Sequence, residues 1–231
     1  MLAIIPARGG SKGLPGKNMK ELCGKTLLAH TIEQAFKSNV IDDVIVTTED
    51  PYISDHARAC GAAVVQRPDS LATDDSKAFD VYRHACSVLA GMHYITSSYV
   101  VLLPTAPLRL PEDIVGAVEL FNARHYTDAV ISVAEASKPS NWHCVMRYDG
   151  SLLTNDDNID NRQSYAKEYI PNGSIYVFNR SFVDTHDTYH GLSTYGYIMP
   201  PERSIDIDTQ LDFDICEMLL SRRVKDSVVS L

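Results

Sequence analysis

Five short apolar runs in the first 133 residues alternate with stretches of helical period, and this alternation limits the fold more than any single motif does. The runs are 1–5 (MLAII), 44–48 (VIVTT), 62–65 (AAVV), 99–103 (YVVLL) and 129–133 (AVISV). Unbroken apolar runs predict strands buried on both faces, and β-branched residues suit them. Between the runs, Leu27, Leu28, Ile32, Ala35 and Phe36 recur at helical spacing and predict a helix over roughly 26–38. A second helix opens at Glu49-Asp50-Pro51 and stops at Gly61. A third carries Ala78, Val81, Tyr82, Ala85 and Leu89, with Asp74 or Asp75 as its cap. A fourth takes Pro111 in its first turn and carries Ile114, Val115, Val118, Leu120 and Phe121. The pattern is that of an α/β, three-layer fold, Rossmann-like, whose mostly parallel sheet has helices on both faces. Ligands of such folds bind at the carboxyl ends of the strands. The loop after residue 5, the segment after Thr48 and the segment 104–109 share that edge.

The first of these loops is basic and rich in glycine: Gly9, Gly10, Gly13 and Gly16 with Arg8, Ser11, Lys12 and Lys17, closed by Asn18. Glycine lets backbone N–H groups turn toward an anion, so the loop reads as a phosphate cradle. It is neither a Walker sequence nor Gly-x-Gly-x-x-Gly. Arg8 and Lys17 can neutralise phosphoryl oxygens and the charge on a leaving pyrophosphate, and Lys12 and the Ser11 hydroxyl also reach phosphate. The surrounding chain is acidic, with net charge -9 and pI ≈ 5.3. No basic face exists to hold a nucleic acid, so the local basic loop points to a small phosphorylated ligand.

A second constellation is Ser204-Ile205-Asp206-Ile207-Asp208-Thr209. Read as a strand, it puts Asp206 and Asp208 on one face and the isoleucines inward. Two neighbouring carboxylates repel unless a hard divalent cation sits between them, so the pair is a candidate metal site. The competing reading is a helix cap, which explains Asp208 but not Asp206. In the segment 103–109, Thr105 and Arg109 offer polar contacts to a ligand, or the two prolines simply build a rigid loop. Arg162 can hold a carboxylate in a bidentate pair or lie solvated, and Asn172-Gly173 signals a turn.

After Glu135 the alternation stops. Residues 136–172 are polar and lack helical period, yet hold Trp142, Val145, Met146, Leu152 and Leu153. They are expected to form an extended hairpin arm packed on another surface, that of a second copy. A strand over 174–178 and a helix from Asp208, carrying Leu211, Ile215, Met218 and Leu219, complete one domain spanning 1–231. The five cysteines include no Cys-x-x-Cys pair, so neither zinc site nor disulfide framework is expected. The N-terminal apolar run is too short for a leader, and nothing reaches the length of a membrane span. The expectation is a soluble cytoplasmic protein with no membrane or nucleic-acid partner.

Taken together these residues resemble the cytidylyltransferases that activate sialic acid and related nine-carbon acids, the CMP-N-acylneuraminate synthetases. The resemblance rests on Ile5-Pro6-Ala7-Arg8-Gly9-Gly10-Ser11-Lys12-Gly13-Leu14-Pro15 with Lys17-Asn18, Gly24-Lys25-Thr26-Leu27-Leu28, Pro104-Thr105-Ala106-Pro107-Leu108-Arg109, Pro171-Asn172-Gly173-Ser174-Ile175-Tyr176 and the segment 204–209. It implies a homodimer in which the arm of one subunit, 136–172, reaches toward the sugar site of the other. It implies that Ala7, Arg8, Gly9, Ser11, Lys12, Lys17, Asn18 and Ser76 contact CTP, and that Asp206 and Asp208 bind magnesium. Thr105, Arg109, Arg162, Asn172 and Gly173 form the implied sugar side, and Arg8, Lys17, Asp206 and Asp208 the implied catalytic set. The implied reaction joins the anomeric hydroxyl of an acidic sugar to the α-phosphorus of CTP and releases pyrophosphate. Departures from sialic acid members fall on the sugar side: Leu103 stands where they usually have Gln, Ile170 where they commonly have Arg, and Asn141 and Trp142 where a lysine is often found. The alternatives are another base or acceptor on the same fold, such as GTP with an amino-sugar phosphate, and a non-catalytic binder.

Overall fold

A computed structural model describes the backbone of residues 1–11, 13–124, 127–154, 161 and 165–229, and side chains up to residue 223. In chain order the first half holds β1 (Leu2–Pro6), β2 (Glu21–Leu22), β3 (Lys25–Thr26), α1 (Leu27–Lys37), β4 (Asp43–Thr48), α2 (Pro51–Ala59), β5 (Ala63–Gln66) and α3 (Ala78–Gly91). The second half holds β6 (Ser98–Leu102), α4 (Pro111–Asn122), β7 (Ala129–Glu135), β8 (Cys144–Met146), β9 (Leu152–Thr154), β10 (Tyr169–Asn179), α5 (Arg180–Thr185), β11 (Thr194–Ile198) and α6 (Gln210–Val229). Seven strands form one sheet in the order β11-β7-β10-β6-β1-β4-β5. All described neighbours pair in parallel except β10, which runs antiparallel to β6 and β7.

The sheet is buried on both faces, as unbroken apolar strands require. Along β1, Ala3 and Ile5 enter one core while Leu2 and Ile4 enter the other, since successive side chains point to opposite faces. The first core takes Leu28, Ile32 and Ala35 from α1, Ile53 and Ala57 from α2, and Ile114, Ala117 and Val118 from α4. The second takes Phe79, Tyr82, Ala85 and Leu89 from α3 and Phe182 and Val183 from α5. The expected three layers are present. Thr26 caps α1 by accepting from the Ala29 N–H, and Asp50 caps α2 ahead of Pro51. A third cluster, of Leu14, Leu22, Leu27, Leu108, Ile207, Phe213 and Cys216, ties the N-terminal loop to α6.

The structure corrects several boundaries. The sheet strand β10 already begins at Tyr169, inside the segment 136–172 read as an arm. Its pairing to β7 shifts register between Pro171 and Tyr176, and Gly173 there has a φ of 69°. Asn172-Gly173 therefore marks a bulge inside a strand, not a chain reversal. Strand β11 and helix α5 were not expected. Helix α3 starts at Ala78 behind Lys77, with no side-chain cap from Asp74 or Asp75. Helix α6 starts at Gln210, and 204–208 pairs with no strand of the sheet. The expected hairpin exists as β8 paired antiparallel to β9, and both strands are exposed.

Arg109 is the largest fully buried side chain, at 0% exposure. It donates to the carbonyls of Leu103 and Ser174 and to the Thr31 hydroxyl, so it braces β6, β10 and α1 together. Burial pulls its pKa down to about 9. The described hydrogen bonds of its guanidinium go to the scaffold, and its Nε is buried without a hydrogen-bond partner. Arg109→Met is expected to lower stability by roughly 2–4 kcal/mol, because it strands buried acceptors. A urea unfolding midpoint equal to that of the unaltered protein would contradict this.

Candidate active site

The N-terminal loop leaves β1 at its carboxyl end. There the Ala7 N–H continues the parallel ladder to the Thr47 carbonyl, and Ala7 itself is fully buried. Asn18 folds the loop back by donating its side-chain amide to the Arg8 carbonyl at 2.9 Å. Gly13 lies against 204–209: a Cβ there would stand 2.5 Å from the Asp208 carbonyl oxygen. This contact brings Lys17 to that segment, where its Nζ donates to the Ile207 carbonyl at 3.0 Å and to Asp208 Oδ1 at 2.9 Å. Arg8 pairs with Asp74 at 2.9 Å, and the Gly9 N–H donates to Glu49 Oε1 at 2.7 Å. Arg8, Lys17 and the Gly9 N–H are therefore already engaged by acids of this chain.

The loop forms one wall of a cleft of about 390 Å³ at the carboxyl ends of β1, β5 and β6. Arg8, Lys17, Asn18, Thr105, Asp206 and Asp208 line it, so residues distant in sequence converge on one cavity. The cleft is also lined by Ser76, whose hydroxyl donates to the Ser70 carbonyl and accepts from the Thr73 N–H. Ala7 offers only backbone. Ser11 is not among the residues lining the cleft. Lys12 and Arg162 lie outside the described residues.

Asp206 does not sit on a strand. The segment is held instead by its Ile207 N–H, which donates to the Thr105 carbonyl at 2.8 Å, and by the fully buried Ile207 side chain. Burial raises the Asp206 pKa, Asp208 adds like-charge repulsion, and the Thr105 hydroxyl opposes both. Asp206 Oδ1 is buried with no hydrogen-bond partner. A Cβ on Gly173 would lie 2.7 Å from Asp206 Oδ2, so glycine is what admits the carboxylate. An orphaned carboxylate oxygen beside a second acid fits a hard divalent cation, which would satisfy that oxygen and cancel the repulsion. The cap reading fails for Asp208: its side chain takes Lys17, and Asp212 accepts from the Asp208 and Thr209 N–H groups.

Asn172 does not line the cleft. It is buried, accepts from the Ser132 hydroxyl and donates to Ser204 Oγ, so it positions the start of 204–208. Gly173 serves through its close approach to Asp206. Arg67, Leu71, Tyr82 and Tyr189 line the cleft and were missed by sequence reasoning. Arg67 is 4% exposed and donates to the Thr47 carbonyl at 2.6 Å. Burial lowers its pKa, and the nearby Glu49 counteracts this. Its position directly after β5, at the ligand-binding edge, was the available signal.

A sequence profile described as cytidylyltransferase matches residues 2–224. The chain is 34% identical to an N-acylneuraminate cytidylyltransferase of Escherichia coli O18:K1:H7, over 99% of this chain and 54% of that protein. It is 34% identical to a CMP-N,N'-diacetyllegionaminic acid synthase of Legionella pneumophila, over 95% of this chain and 96% of that protein. The chain spans about half the length of the N-acylneuraminate cytidylyltransferases it matches. Among solved structures, CMP:2-keto-3-deoxy-manno-octonic acid synthetase complexed with CTP shares the fold, with a TM-score of 0.70 at 18% identity over 96% of this chain and 98% of that one.

Because the Asp206 pKa is raised above its unfolded value, its charge opposes folding at neutral pH, and that penalty is relieved as pH falls through the raised value. Asp206→Asn is therefore expected to raise the thermal midpoint at pH 7, with a gain that shrinks on acidification. Calorimetry across pH 4–7 checks it, and a lower midpoint at pH 7 would refute it.

Proposed function

The chain belongs to the cytidylyltransferase family, and from this premise we propose that it activates a nine-carbon acidic sugar by transferring CMP from CTP. The observation that carries the reading is the union of Lys17 with the Asp206–Asp208 segment beneath a glycine-rich loop. The relatives lend the substrate class: their names speak of N-acylneuraminate and of N,N'-diacetyllegionaminic acid.

In the proposed step an oxygen of the sugar forms a bond to the α-phosphorus of CTP. The bond between that phosphorus and the bridging oxygen breaks, pyrophosphate leaves with the electron pair, and the hydroxyl proton passes to solvent. Arg8 and Lys17 turn from their acids to the phosphates and hold the charge that accumulates on the leaving group. The loop N–H groups and Asn18 fix its geometry, so most of the acceleration comes from positioning. A magnesium ion on Asp206 and Asp208, when bound, would neutralise phosphate charge and acidify the attacking hydroxyl. Thr105 and the Asn172–Ser204 bond keep Asp206 in place.

The proposal extends to a cytoplasmic homodimer. The hairpin and the neighbouring β10 expose Val145, Met146, Leu152, Leu153 and Ile170, an apolar surface that supports docking on a second copy. Among the described residues no helix is long and apolar enough to cross a membrane.

Lys17→Ala is expected to cut kcat/KM by about 10²–10³ while leaving the circular dichroism spectrum unchanged. Pyrophosphate release with CTP and a panel of sugar acids reads this, and full activity in the variant would remove Lys17 from the mechanism. For the assembly, light scattering at micromolar concentration is expected to give twice the 25.6 kDa chain mass. Val145→Asp with Leu153→Asp is expected to halve it, and a monomeric unaltered protein would exclude the dimer.

A further inference from the structure

Arg83 lies on α3 and does not line the cleft, yet its guanidinium gathers the far end of α5. Its Nε donates to the Val183 carbonyl at 2.8 Å and its Nη2 to the His186 carbonyl at 2.7 Å. Carbonyls at the end of a helix have no partner inside it, and a cation is favoured there. The same guanidinium donates to Asp187 and Asp80, and Lys77 donates to the other oxygen of Asp187 at 3.1 Å. An arginine can serve all four acceptors because its donors spread in a fixed plane, whereas a lysine offers one nitrogen. The guanidinium carbon stands 6.0 Å from the centroid of the Phe79 ring, and that ring meets the Tyr189 ring with centroids 4.9 Å apart.

The segment that leaves α5 is irregular and exposed over 186–188, and it leads to Tyr189, which lines the cleft. Among the described hydrogen bonds, those that tie 186–188 to an element other than α5 all end on Arg83 or Lys77. The Tyr189 ring also packs on Tyr176, at 5.1 Å between centroids. Apolar packing is non-directional, so it gives the ring a place without fixing the backbone that carries it. The bonds to Arg83 are directional and fix that backbone. Asp187 and Lys77 are half or more exposed, and such ion pairs add little to folding stability. The network's effect is therefore on where the segment sits, not on whether the chain folds.

We infer that Arg83 is a positioning residue of the cleft: from outside it, Arg83 holds 183–189 so that Tyr189 stays in the wall. The inference does not depend on which substrate meets that wall, and its effect on turnover rests on the reading of the chain as a CMP-sugar-forming enzyme. Arg83→Met keeps an unbranched apolar stem and removes the donors. Hydrogen–deuterium exchange read by mass spectrometry is expected to be about 10-fold faster over 184–190 in this variant, with β1, β6 and β10 unchanged. Asp187→Asn, at an exposed position, repeats the test if Arg83→Met loosens the whole chain. Pyrophosphate release is then followed with CTP, magnesium and either N-acetylneuraminic or N,N'-diacetyllegionaminic acid. The KM of CTP or of the acid is expected to rise about 3–10-fold while kcat stays within about twofold. Tyr189→Leu is expected to raise the same KM, and adding Arg83→Met to it to raise it no further, because residues that act through one contact are not additive. Unchanged exchange over 184–190 in both variants overturns the inference and leaves the reaction standing. A loosened segment with both KM values unaltered overturns its effect on the cleft, and so does a double variant in which the two effects multiply. Pyrophosphate release with neither acid overturns the reaction and with it the role of Arg83 in turnover, while the exchange rates still decide whether Arg83 holds the segment.

Discussion

Lys17 and Asp208 stand 191 positions apart and meet at 2.9 Å, and the rest of the site is arranged around that meeting. The ion pair is half exposed and alone is worth little. What makes the meeting durable is the apolar cluster behind it, where Leu14 and Leu22 of the N-terminal region pack on Ile207, Phe213 and Cys216. Gly13 lets the two backbones approach, and the Lys17 ammonium spans the remaining gap to the Ile207 carbonyl. Hydrophobic burial supplies the attachment, and the polar contacts set the register in which it holds.

The same division recurs at Asp206. Its carboxylate is kept in an unfavourable place by neighbours that have little chemistry of their own: a glycine at a strand bulge, a buried asparagine and the Thr105 turn. Arg109 belongs to this supporting group. It looks like a ligand contact because of its charge, yet it is fully buried, does not line the cleft and joins three elements whose ends shape it. A buried orphan oxygen and a raised pKa mark a position that costs the fold stability.

The layers were legible because the apolar runs allow few alternatives: no polar alternation means two covered faces. The N-terminal loop and the two aspartates were legible because their chemistry lies in short, contiguous stretches. What was lost depended on contacts between distant segments. Gly173 looks like a turn residue, and only the neighbouring β7 shows that the chain runs straight through it. Strand β11 is half exposed, short and interrupted by Gly196, so it carries no continuous apolar signal. Arg67 and Tyr189 sit on connections whose sequences are unremarkable, and they join the cleft only because β5 ends there and α5 hands the chain back across α3.

The pairing of the loop's donors has a consequence for selectivity among anions. Arg8 faces Asp74, Lys17 faces Asp208, and the Gly9 N–H faces Glu49, so each of these three donors already holds a carboxylate. A bare phosphate that displaced one of these acids would leave a carboxylate uncompensated at short range, so free inorganic phosphate gains little by entering. A ligand that carries its own countercharge exchanges ions with the site instead of adding to its negative charge. An anion that reaches these three donors must therefore exchange with a carboxylate already held there.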